Sequence, residues 1–147
     1  MKQQKANNKA AKLKTYNRWL GFSLILITVS GIQLEATSGQ YCRSVWTHII
    51  LGLALTILSL YHIYLHYKSS NWFKRFAKHR SSLVRILWWV FLLTAITGII
   101  ATIQWLNGFT HSKLGAVHGK IGFLMALLAI IHAVKQARRI HSKKAAF

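Results

Sequence analysis

The 147-residue chain is 53% hydrophobic and 12% aromatic, and it carries 20 Lys and Arg against a single acidic residue, for a formal net charge of +19. So large an apolar share, parcelled into blocks separated by short basic stretches, excludes one soluble globular core and describes several membrane spans instead. The charge would suit a nucleic-acid binder, but the basic residues lie between apolar blocks rather than in one patch, and the lone Cys42 excludes an internal disulfide.

Residues 1–17 form a basic segment that precedes the first apolar block. Trp19 to Leu34 is an uncharged run of sixteen, short for a span unless Arg18 snorkels to the interface at its start. Ser44 to Tyr67 is a second uncharged run, of twenty-four, and Ile86 to Trp105 a third, with Trp88, Trp89 and Trp105 placed as interface anchors. The fourth, Leu114 to Val134, is interrupted only by Lys120 near its start, and a basic tail, 140–147, follows. The expectation is an all-α integral membrane protein, a bundle of four transmembrane helices occupying residues 18–139. A cleaved signal peptide is the competing reading of the first run, but no clear small-x-small site precedes Thr37.

Lys and Arg are distributed unevenly between the loops. Six precede the first span, six more lie between the second and third (Lys68, Lys74, Arg75, Lys78, Arg80, Arg85), and five follow the fourth. Only Arg43, Lys113 and Lys120 fall on the other side. The positive-inside rule then places both termini in the cytoplasm.

The chain also repeats itself. A shift of seventy residues lays His48, Gly52, Leu58 and His62 over His118, Gly122, Leu128 and His132, and a shift of sixty-seven lays Arg18, Leu20, Leu26, Ser30, Gly31 and Ile32 over Arg85, Leu87, Leu93, Thr97, Gly98 and Ile99. Residues 18–67 and 85–137 are therefore two parallel two-helix repeats, and the shifts differ because the second outer loop is longer.

His48 and His62 are fourteen residues apart, as are His118 and His132. Fourteen helical steps return to within about 40° of the starting direction and rise about 21 Å, so both histidines of a pair face one side of their helix. In a parallel repeat, His48 is level with His118 on the outer side and His62 with His132 on the inner side. A haem iron takes one imidazole on each axial face, and this arrangement supplies two such pairs, which points to two haem b groups with His48, His118, His62 and His132 as metal ligands. Gly31 and Gly98, at equivalent depths on the first and third spans, would let a flat macrocycle approach the backbone, and Gly52 and Gly122 would do the same one turn past the outer ligands. Close helix packing explains any one of these glycines equally well. Zinc or copper is disfavoured because neither thiolate nor carboxylate accompanies the histidines within the spans. His66 lies one turn beyond His62, but its counterpart is Gln136, so it is read as interfacial. His79, His111 and His141 are assigned to loops or tail. Arg43 and Lys120 outside, and Lys68 and Lys135 inside, are candidates to pair with haem propionates.

On these residues the chain resembles the four-helix dihaem core of membrane b-type cytochromes, a family with paired histidines on its second and fourth helices and glycines on its first and third. His48, His62, His118, His132, Gly31 and Gly98 match that pattern, and the resemblance runs from Arg18 to Arg139. It is similar to the small bacterial cytochrome b proteins that serve as membrane subunits of oxidoreductases. The resemblance implies a multi-pass protein of a bacterial plasma membrane carrying electrons between a quinone pool and a partner protein. No recognisable quinol-site motif lets a quinone or quinol site be assigned to residues. One alternative is a stand-alone oxidoreductase acting on quinol, superoxide or ferric chelate at an exposed haem edge, with Glu35 as a proton acceptor. Another is a binding or assembly protein whose basic loops contact anionic lipid.

Overall fold

A computed structural model of the protein describes residues 2–37, 41–67, 81–109 and 112–144. These residues form four helices, α1 (Lys2–Ala36), α2 (Cys42–Tyr67), α3 (Ser82–Leu106) and α4 (Lys113–Lys144), and no strand occurs among them. Each helix contains a stretch long and apolar enough to cross a membrane: Ala11–Ala36, Cys42–His66, Ser82–Leu106 and Lys113–Arg138. The chain is thus an all-α multi-pass membrane protein.

Two of the helices extend well beyond their apolar runs. Helix α1 begins seventeen residues before Trp19, because the Lys-, Ala- and Gln-rich leader contains neither Gly nor Pro and is made largely of good helix formers. Helix α4 continues past Val134 for the same reason and takes in His141, where hydropathy alone predicts loop or tail. Lys68, His79 and His111 lie outside the described residues.

The chain divides into two compact units, Met1–Arg75 and Phe76–Phe147. In the first, α1 packs along α2, and in the second α3 packs along α4. The first unit is an antiparallel hairpin in one continuous register. Gln33 Nε2 donates to Ser44 Oγ near the turn, Ser30 meets His48, Ile27 lies against Gly52, and Tyr16 meets Tyr61 towards the open end. Each step back along α1 is answered by a step forward along α2.

The second unit repeats this register. Thr97 meets His118 and Thr94 lies against Gly122, so the positions related by shifts of sixty-seven and seventy residues make the same contacts. Leu55 and Met125, also equivalent, are both buried. The longer outer loop is mostly absorbed as helix, since α3 runs three residues past the position equivalent to Ala36. It then ends in a Schellman turn. Gly108 adopts a left-handed φ of 88°, its N–H donates to the Trp105 carbonyl, and the Phe109 N–H donates to the Gln104 carbonyl. Helix α4 opens on a side-chain cap, with Ser112 Oγ accepting from the Gly115 N–H at 2.9 Å.

Buried side chains are few and mostly small or apolar: Ser23, Ser30, Leu55 and Leu65 in the first unit, and Trp88, Thr97, Met125 and Ala126 in the second. Many large apolar residues are instead exposed, among them Ile50 and Phe123, each at 63%. In water such a surface would drive aggregation, whereas hydrocarbon solvates it at no cost.

Candidate functional site

The outer histidines are held in the same way in both units. His48, on the second turn of α2, is half-buried, and its Nδ1 lies 2.9 Å from Ser30 Oγ on α1. His118, on the second turn of α4, is also half-buried, with Nδ1 3.3 Å from Thr97 Oγ1 on α3. Ser30 and Thr97 are 7% and 8% exposed, so both hydroxyls are removed from solvent and must find their partners within the protein.

Each hydroxyl also donates to a backbone carbonyl of its own helix. Ser30 Oγ donates to the Ile27 carbonyl at 2.9 Å, and Thr97 Oγ1 to the carbonyls of Leu93 at 2.8 Å and Thr94 at 3.1 Å. Such back-bonding is common for Ser and Thr within apolar helices, where the carbonyl supplies the otherwise missing acceptor.

Gly31 and Gly98 sit directly beneath these rings. A Cβ on Gly31 would stand 3.4 Å from His48 Cε1, and one on Gly98 only 2.9 Å from His118 Cε1. The space freed by these two glycines is therefore filled by the outer imidazoles. Gly52 and Gly122 have different neighbours: added Cβ atoms there would meet Ile27 Cδ1 at 3.7 Å and Thr94 Cγ2 at 3.9 Å. Those are ordinary packing distances between paired helices, in line with the role of small residues where membrane helices approach.

The inner histidines lie fourteen residues further along the same helices, His62 on α2 and His132 on α4, and both are half-buried. His66 stands one turn from His62, with ring centroids 4.6 Å apart, but is exposed where His62 is not. Beside His62 is a cluster of aromatic rings confined to the first unit. The Tyr16 and Tyr61 centroids are 4.7 Å apart, and Tyr64 lies 6.1 Å from Tyr61. The equivalents of Tyr16, Tyr61 and Tyr64 are Leu83, Ile131 and Val134, so this end of the molecule departs from the repeat.

Arg43, Lys135 and Glu35 are exposed near the ends of their spans, and Lys120 is exposed two turns into the fourth. Cys42 is a free, exposed thiol at the start of α2. Among the described residues, neither unit gathers three or more His, Cys, Asp or Glu side chains at one point. What the spans offer a metal is a set of separate imidazoles, two per unit and fourteen residues apart along each helix. That donor set suits an iron already held by four macrocyclic nitrogens better than it suits a bare tetrahedral zinc.

Ser30 and Thr97 are the site residues to which sequence reasoning gave no role. Their signal was present as a hydroxyl at the same place in each repeat, next to the matched glycine, but two polar residues in a span are equally well explained by back-bonding alone. No protein family, curated protein or solved structure matches the chain.

Proposed function

We propose that the protein is a dihaem b-type cytochrome that carries electrons across the membrane. The observation that supports this most directly is the duplicated outer constellation, in which a half-buried histidine is held by a buried hydroxyl and seated on a glycine, once in each unit. An intramembrane ionisable residue is rare unless it serves a function, and the same arrangement made twice by sequence-related segments argues for one function with paired ligands.

His48 and His118 would hold one haem, and His62 and His132 the other, the pairing following from the parallel repeat. Bound haem supplies reversible one-electron exchange at its iron. The polypeptide's part is to furnish neutral imidazoles in a dry environment and to hold them at two depths about 21 Å apart along each helix. A quinone pool as one end of the electron path and a partner protein as the other follow from the resemblance to membrane b-type cytochromes. Both termini are assigned to the cytoplasm by the seventeen-to-three distribution of Lys and Arg between the two sides.

The test is the optical spectrum and haem content of the purified chain, followed by a redox titration with and without quinol. Two b-type haems per chain, reversibly titrating, are expected. A preparation that inserts and folds in the presence of haem yet binds none would sink the proposal.

A further inference from the structure

We infer that Ser30 and Thr97 are positioning residues for the outer ligands: each hydroxyl accepts a hydrogen bond from imidazole Nδ1–H and so selects the tautomer whose lone pair is on Nε2. The inference rests on the dihaem reading and adds to it the residues that decide which ring nitrogen of His48 and His118 ligates.

A serine or threonine hydroxyl has one proton to donate and two lone pairs with which to accept. At Ser30 that proton points to the Ile27 carbonyl, and at Thr97 to the carbonyls of Leu93 and Thr94. A carbonyl only accepts, so the contact with the backbone uses the hydroxyl as donor. What remains for the imidazole is the oxygen lone pair. Both contacts are satisfied together only when Nδ1 carries the proton. In the opposite tautomer two lone pairs would face one another across 2.9 Å at His48, beside a hydroxyl that is itself buried.

With Nδ1 protonated and bonded, Nε2 is the nitrogen that carries the ligating lone pair. Metal-bound histidines generally donate their second N–H to such a partner, which holds the ring's orientation and increases the basicity of the ligating nitrogen. The glycine beneath each ring makes the hydrogen bond sterically possible, since a Cβ at Gly98 would occupy space that the His118 ring uses to reach Thr97. The hydroxyl, the glycine and the histidine therefore act as one unit, and the same three positions make it in both halves.

The experiment uses the full-length chain purified with its haem. Ser30→Ala removes the acceptor, Thr97→Val removes it while keeping the shape, and Ser30→Thr and Thr97→Ser retain it. Outer-haem affinity is read by competition with a haem-scavenging protein, together with midpoint potential and the electron paramagnetic resonance signature. Ser30→Ala and Thr97→Val should each weaken outer-haem retention by about 10- to 100-fold. They should also move the outer potential positive, since a less basic ligand stabilises ferric iron less, and change the outer resonance. The inner haem should be unaffected, and the two conservative variants should behave as wild type. Outer haem with wild-type affinity, potential and resonance in both Ser30→Ala and Thr97→Val would overturn the inference while leaving the dihaem reading intact. Loss of both haems from Thr97→Val with helicity retained would also overturn it, because a positioning role is local. A wild-type protein without haem, or one whose full haem content survives His48→Ala, would instead sink the reading on which it rests.

Discussion

Gly98 and His118 approach so closely that a single methyl group could not be placed between them without moving the ring: a Cβ at 98 would lie 2.9 Å from Cε1, against 3.4 Å for the equivalent pair, Gly31 and His48. The difference makes Gly98→Ala and Gly31→Ala unequal. Gly98→Ala should cost about 1–3 kcal/mol through overpacking and displace His118. Gly31→Ala sits at a distance its neighbour can yield to, and replacing a mid-helix glycine returns about 0.5–1 kcal/mol, so its net effect should be near zero. Thermal unfolding of the two purified variants, with outer-haem content measured alongside, checks the inequality.

The two ligand levels are separated along the helix and should fail independently. His62→Ala or His132→Ala should remove the inner haem and leave most of the outer one, and His48→Ala or His118→Ala should do the reverse. Haem-to-protein ratios of the four variants decide this, and loss of both haems from any folded single variant would show the levels to be wrongly assigned.

His66→Ala should keep both haems. His66 is exposed one turn beyond His62, and a ligand there would sit about 6 Å further along the axis, out of step with the fourteen-residue spacing of His118 and His132. Because the two rings are in contact, a change in the potential of the inner haem is expected without loss of occupancy. One haem in His66→Ala beside two in His62→Ala would reverse the choice of ligand.

Tyr16 and Tyr61 join α1 to α2 at the end of the hairpin remote from the Thr37 turn, with centroids 4.7 Å apart. A double-mutant cycle with Tyr16→Ala and Tyr61→Ala should return a coupling of about 0.5–1.5 kcal/mol beyond the separate losses. Additive effects would show that the rings merely share the interface.

Cys42 gives a direct test of orientation, being exposed at the start of α2 and the sole cysteine of the chain. In intact cells a membrane-impermeant maleimide should label it from outside, whereas labelling only after the membrane is opened would place the termini on the outer side.

Much of the molecule was legible from residue order. Unbroken apolar runs demand internally hydrogen-bonded helices in lipid, so the four spans followed from composition and spacing, and the fourteen-residue histidine interval followed from helical geometry. Helix ends were less legible. The leader before Trp19 and the stretch after Val134 are polar yet helical, since propensity, which hydropathy does not register, carries the backbone onward there.

What only the tertiary structure decided is what each small residue faces. Spacing alone could not distinguish Gly31 and Gly98, which receive the outer imidazoles, from Gly52 and Gly122, which receive Ile27 and Thr94, because the difference depends on the rotation of one helix against its neighbour. The same rotation brings the hydroxyls of Ser30 and Thr97 to Nδ1 of His48 and His118. The sequence by itself determined that histidines recur at two depths on α2 and α4. Packing within each hairpin determined which hydroxyl meets which ring, since a hydrogen bond requires atoms about 3 Å apart and periodicity locates a side chain only to a face and a turn.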